Sequence, residues 1–142
     1  MLHAVLEEAE RAVAKVEQHA HTIALLEVAC IIVGISRPNL DPTARNFDRD
    51  CTDSWFIYGY NGTLYGNGKD FNNGASSYNL GDRVGVLLDL NDGSLRFFKN
   101  GVQHGPGYPA GSVTGPVVAA VQMGNTDNSV RLLPNAEAPA NA

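Results

Sequence analysis

The residues able to do chemistry are few, and their spacing does not bring them together. A glycoside-cleaving site needs two carboxylates flanking the bond, about 5–10 Å apart. Between Glu27 and Glu137 the sequence has no Glu. Asp89 and Asp92 stand in "DLNDGS", where Asp is a common residue of tight turns. The same stretch has the flavour of a calcium loop. Its Gly93 comes one position early, however, and the twelfth position is Asn100 instead of a bidentate Glu. Nucleophilic catalysis needs a Ser or Cys beside a base. His3, His19 and His21 gather near the N-terminus, His104 follows the "KNG" turn and reads as a loop residue, and no Gly-Xaa-Ser-Xaa-Gly elbow occurs. His and Cys spacing fits no zinc pattern. "GNGKDFNNG", residues 66–74, lacks the Gly-Lys-Ser/Thr ending of a phosphate loop. The expectation is a protein that is not an enzyme, with no metal and no cofactor.

What remains is recognition. The longest irregular stretch is "SRPNLDPTARNFDRDCTD", residues 36–53, with three Arg, four Asp and one aromatic, Phe47. Long loops in small domains are functional or disordered. As a peptide-binding rim, this one offers Phe47 as an anchor and an Arg to read an acidic or amide group. Net charge is −5 and the ten Lys and Arg are scattered singly, which argues against a nucleic-acid partner. "TIALLEVACIIVGI" contains Glu27 and falls short of the ~20 apolar residues of a membrane span. Glu7, Glu8, Glu10 and Glu17 before it are wrong for a basic leader. Cys30 and Cys51 are too few for a disulfide scaffold, and both read as reduced thiols of a cytoplasmic protein.

The elements that must position this loop divide the sequence unevenly. "LHAVLEEAERAVAKVEQHA" has no Gly or Pro, and Leu2, Val5, Leu6, Ala9, Val13, Val16 and Ala20 recur at helical steps. This predicts an amphipathic helix over residues 1–21, able to cover a sheet edge or to mediate self-association. Over residues 22–134 the period changes. "TIALLEV", "CIIVGI", "SWFIYGY", "RVGVLLDL", "SLRFFKN", "VVAAVQM" and "SVRLL" are short and rich in branched and aromatic residues. Turn signals fall at Asn61-Gly62, Asn73-Gly74, Asp92-Gly93 and Asn100-Gly101. The pattern predicts an all-β sandwich or barrel. Residues 135–142 are small, polar and Pro-containing, and are expected to be disordered.

"GVLLDLNDGSLRFFKNGV", residues 85–102, is the most regular segment. Both of its strands have apolar residues on each face, which marks them as interior strands. "DRVGVLLDLNDGSLRFFKNGVQHG" resembles the signature hairpin of SPRY domains. "VGIS" at 33–36, "DSWFIYGYNGTLYGNGK" at 53–69, "GPVVAAVQM" at 115–123 and "SVRLL" at 129–133 resemble further segments of that family in the same order. The resemblance implies a bent sandwich of two antiparallel sheets, similar to concanavalin-type lectins. It implies a non-catalytic module that binds a protein or short peptide, often as a ubiquitin-ligase substrate receptor or an adaptor. One departure stands out. The family's first strand precedes the Val-Gly strand across a turn, and no turn separates Leu26-Glu27-Val28 from Val33-Gly34. One strand is therefore missing, or the two have merged.

The family's ligand surface is a platform of two loops, here residues 37–52 and 122–128. By position the resemblance implies Arg45, Asn46 and Phe47 from the first loop and Gln122, Met123 and Gly124 from the second. Trp55 reads as core. A carbohydrate-binding or glycoside-cleaving relative of the same sandwich is the alternative reading.

Overall fold

The computed structural model describes residues 2–5, 20–25, 31–38, 54–66, 69–71, 75–79, 81–123 and 130–133. These form two antiparallel sheets. The strands are β1 (Leu2–Val5), β2 (Ala20–Leu25), β3 (Ile31–Ser36), β4 (Ser54–Tyr58), β5 (Leu64–Gly66) and β6 (Lys69–Phe71), then β7 (Arg83–Asp89), β8 (Ser94–Lys99), β9 (Val102–Gln103), β10 (Val118–Met123) and β11 (Val130–Leu133). One sheet has six strands in the order β1-β10-β3-β4-β5-β6, and the other has five in the order β11-β2-β7-β8-β9.

Two sequence expectations need correction. The helix over residues 1–21 is not found at either end, because Leu2–Val5 pairs with β10 as a strand and Ala20 opens β2. Residues 6–19 lie outside the described residues. A β10 edge offers Leu2–Val5 a ladder of backbone hydrogen bonds, and tertiary pairing overrides helical spacing over four residues. The first family strand is neither missing nor merged. β2 pairs with β7 in the five-stranded sheet, while β3 sits between β10 and β4 in the six-stranded one. The backbone passes from one sheet to the other between residues 25 and 31 without a Gly or Pro to announce it.

The hairpin of β7 and β8 lies inside its sheet as its two-faced pattern requires. Val84, Val86, Leu95 and Phe97 face the other sheet and pack with Val33, Ile35, Trp55, Ile57, Leu64 and Val121. Leu87 and Phe98 form a separate buried pair. In the six-stranded sheet the alternation repeats: Trp55 and Ile57 enter the main core, while Phe56 packs with Ala120 and Ile32 in a cluster of its own. Gly34 is opposite Phe56 in the register, and a β-carbon there would collide with the Trp55 carbonyl. The Val-Gly dipeptide thus lets β3 and β4 approach.

Two tyrosines tie the sheets together. Tyr108 exchanges backbone hydrogen bonds with Leu95 in the five-stranded sheet, and its phenol donates to the carbonyl of Tyr65 in the other at 2.6 Å. Tyr78 reverses the arrangement. Its N–H donates to the Gly59 carbonyl at 2.8 Å and its phenol to the Phe98 carbonyl at 3.3 Å. Burial pushes both phenols far above the usual tyrosine range. They act as neutral hydrogen-bond donors.

Candidate partner-binding site

The two ends of the six-stranded sheet differ in chemistry. At one end β3 finishes at Ser36 and β4 begins at Ser54, so the loop between them leaves and returns here. Val118, opposite Ser36, opens β10 at the same end. Arg37 follows Ser36, and its Nη1 donates to the carbonyls of Thr114 and Pro116. Its guanidinium carbon lies 5.1 Å from the centre of the Trp55 ring. The arginine clamps the root of the 37–53 loop to the segment that leads into β10, stacked on an aromatic face that attracts cations. Trp55 is 2% exposed, as expected of a core residue, yet among the described residues its Nε1 has no hydrogen-bond partner, and the same is true of buried Ser54 Oγ.

At the other end the surface is aromatic. Tyr58 closes β4, Tyr60 stands in the following turn and Tyr65 lies on β5. The Tyr58 ring is 6.0 Å from Tyr60 and meets Tyr65 edge-on at 5.7 Å. The Asn61-Gly62 turn sets their spacing. Gly62 N–H donates to the Tyr58 carbonyl, Tyr58 N–H to the Thr63 carbonyl, and Thr63 N–H to Asn61 Oδ1. Tyr60 is 66% exposed. A large amphipathic ring in that position is characteristic of recognition surfaces.

Of the residues singled out from sequence, two have a described backbone. Arg45, Asn46, Phe47 and Gly124 lie outside the described residues. The backbones of Gln122 and Met123 close β10, with Gln122 opposite Ile32 and Ile32 opposite Tyr58. The described backbone therefore roots the 37–53 loop at the Arg37 end and starts the 122–128 segment at the tyrosine end. Sequence reasoning misses both Arg37 and the tyrosine trio. The "IYGY…LY" spacing around an Asn-Gly turn is the available signal for the trio.

The residues read from sequence as structural behave so. Asp89 Oδ1 accepts the Asn91 N–H and Asp92 Oδ1 accepts the Ser94 N–H, so both carboxylates are engaged in the β7–β8 turn. The hydrogen bonds from Ser94 hold Asp92 below the usual carboxylate range. His104 stands outside the strands, as expected of a loop residue, and it is also buried. It is 9% exposed, against the Tyr78 ring at 4.5 Å, with Nε2 2.6 Å from the Ser76 carbonyl. Burial lowers its pKa against the opposing pull of that hydrogen bond. Among the described residues no group of three His, Cys, Asp or Glu is placed to hold a metal ion, and no helix is long and apolar enough to cross a membrane.

The family model of the SPRY domain matches residues 18–136. The protein belongs to the SPRY domain family. Solved SPRY domains share its fold. The SPRY domain of human HERC1 superposes with a TM-score of 0.67 at 17% identity, covering 93% of this protein and 77% of that one. A second human SPRY domain gives 0.65 at 25% identity, covering 84% and 78%. No curated protein matches the sequence. SPRY domains are in general protein–protein interaction modules without catalytic activity, and the two-sheet sandwich of this one agrees with its SPRY neighbours.

Proposed function

We propose that this SPRY domain captures a protein or short peptide on the loops flanking its six-stranded sheet and performs no catalysis. The observation that carries this reading is the Tyr58–Tyr60–Tyr65 cluster. It is partly exposed, held by a tight turn, and at the same sheet end as Gln122 and Met123. The partner-binding residues proposed by family position are Arg45, Asn46 and Phe47 of the 37–52 loop, rooted at the Arg37 end, and Gln122, Met123 and Gly124 of the 122–128 segment, which starts at the tyrosine end. The domain serves as a substrate receptor of a ubiquitin ligase or as an adaptor in the cytoplasm. This finer role rests on the family's habit.

Hot-spot energetics concentrate affinity in a few aromatic, Met or Arg anchors. Replacing Phe47 and Met123 together by Asp is expected to abolish capture of peptides recovered by display on the purified domain, with the thermal melt unchanged. Undiminished capture by the folded double variant places the site elsewhere. Specific retention on a glycan array, or turnover of a polysaccharide, favours the lectin-like relative instead.

A further inference from the structure

The Arg37 corner holds more hydrogen-bonding capacity than the fold uses. A guanidinium presents five N–H donors in a rigid planar fork. In Arg37 the two observed bonds, to Thr114 and Pro116, both come from Nη1. The edge formed by Nε and Nη2 is the one that matches a carboxylate, two parallel N–H groups to two oxygens. Among the described residues nothing accepts from that edge, and no carboxylate pairs with Arg37. The side chain is half-buried.

Two further observations make this a built corner. The ring beneath the guanidinium carries a buried N–H, Trp55 Nε1, that has no partner among the described residues. Native interiors contain few such groups. Gly115 also leaves room for the guanidinium. A β-carbon on Gly115 would stand 3.1 Å from Nη1, and Gly115 has a φ of +74°, where side chains are strained. Glycine there lets the clamp close. Stacking on Trp55 and the two carbonyl contacts remove much of the arginine's rotamer freedom before any ligand arrives, which lowers the entropic cost of binding.

We propose that the Arg37–Trp55 corner binds a carboxylate of the partner, taken bidentately by the Nε and Nη2 edge of Arg37. The inference rests on reading the 37–52 rim as partner-binding, and it names the chemistry read at the root of that rim. The carboxylate comes from an Asp or Glu side chain or from the partner's C-terminus.

Trp55 is the only tryptophan of the protein, so a single indole N–H resonance reports on the corner. The test titrates the 142-residue protein at constant ionic strength with N-acetylaspartate amide and with N-acetylalanine. N-acetylasparagine amide and N-acetylalanine amide serve as uncharged controls. A saturable shift of the indole N–H is expected with a carboxylate probe and absent with the amides. Whichever acid saturates first identifies a side-chain or a C-terminal source. Arg37→Met keeps a stem over the ring and should abolish the shift. Arg37→Lys keeps the charge without the fork and should weaken binding about tenfold. If Arg37→Met unfolds, the lysine variant carries the comparison. No saturable shift with either acid, or wild-type affinity in the folded lysine variant, overturns the proposal. The two readings fail separately. Display-selected peptides whose capture ignores Arg37→Lys remove the carboxylate site and leave the rim. An indole response without any peptide capture does the reverse.

Discussion

The β7–β8 hairpin and the Arg37 corner are built from similar polar ingredients and treat them in opposite ways. In the hairpin the network closes on itself. At one end Asp89 and Asp92 accept the N–H groups of Asn91 and Ser94. At the other, Arg83 N–H donates to Asn100 Oδ1, Asn100 Nδ2 to Asp82, and Lys99 pairs with Asp82 at 3.4 Å. Asn100 and Gly101, with φ of 51° and 84°, make the tight reversal between. At the corner, one edge of Arg37 and the Trp55 N–H have no partner among the described residues. A closed network of this kind fixes shape and offers a partner nothing. An open one held rigid by its surroundings is where recognition energy is available.

The comparison is broken most severely from the hairpin side. Phe97 is fully buried between the sheets and meets Tyr108 edge-on at 6.5 Å. Phe97→Ala should cost about 3–5 kcal/mol, as cavities under large aromatics do. Denaturant unfolding measures it, and a loss below about 1 kcal/mol would show that the hairpin is not the frame. A cut about half as deep comes from Tyr108→Phe. The variant keeps the ring and removes the donor to the part-buried Tyr65 carbonyl, at a cost of about 1–2 kcal/mol. Because that phenol spans the two sheets, the loss should appear in global unfolding and not as a local change in the hairpin.

The frame is legible because its signals are local and redundant. Alternation in "RVGVLLDL" and "SLRFFKN", with Asp-Gly and Asn-Gly between and after, states strand, turn and register within nineteen residues. Seven strands read from the sequence are all present, each shifted by a residue or more at its ends. Leu2–Val5 is misread because four residues fit a helical and an extended pattern equally, and only the β10 edge decides between them. β9, at two residues, is too short to register. The Arg37 corner is illegible for another reason. Its partners Trp55, Thr114 and Pro116 are 18 to 79 positions away, and nothing in "SRPN" announces them. The same distance hides His104, whose burial depends on Ser76 and Tyr78.

His104 sharpens the comparison through pH, because it is a titratable group inside a closed network. Its pKa in the folded protein lies below the ordinary 6.5, mainly through burial. The unfolded protein therefore binds the proton more readily, and stability must rise with pH across this window. The contribution is complete above about 6.5 and fades as pH falls through the folded value. Asp82 acts in a separate, lower window. Burial opposes its ionisation, but the Asn79 N–H, the Asn100 amide and the Lys99 charge together hold it below 3.8. Its contribution is lost only as pH falls beneath that value. Urea midpoints between pH 7 and 5 should fall in the wild type and flatten in His104→Gln. An unchanged slope in the variant would remove His104 as the source.

The smallest expected effect on stability carries the sharpest functional consequence. Tyr60 projects from a turn at 66% exposure and touches Tyr58 at a centroid distance of 6.0 Å. Surface substitutions of this kind lie within about 0.5 kcal/mol, so Tyr60→Ala should leave the unfolding midpoint almost where it was. Buried against a partner, the same ring is the type of residue whose truncation costs about 2 kcal/mol or more of binding, a loss of roughly thirtyfold. Stability and capture should therefore separate in Tyr60→Ala and move together in Phe97→Ala, when both are measured against one display-selected peptide. Tyr60→Phe divides the effect further. Retained capture assigns the contact to the ring face, and lost capture assigns it to the hydroxyl. If Tyr60→Ala binds as the wild type does, the aromatic end of the sheet is only surface, and recognition shifts to the end where Arg37 stands.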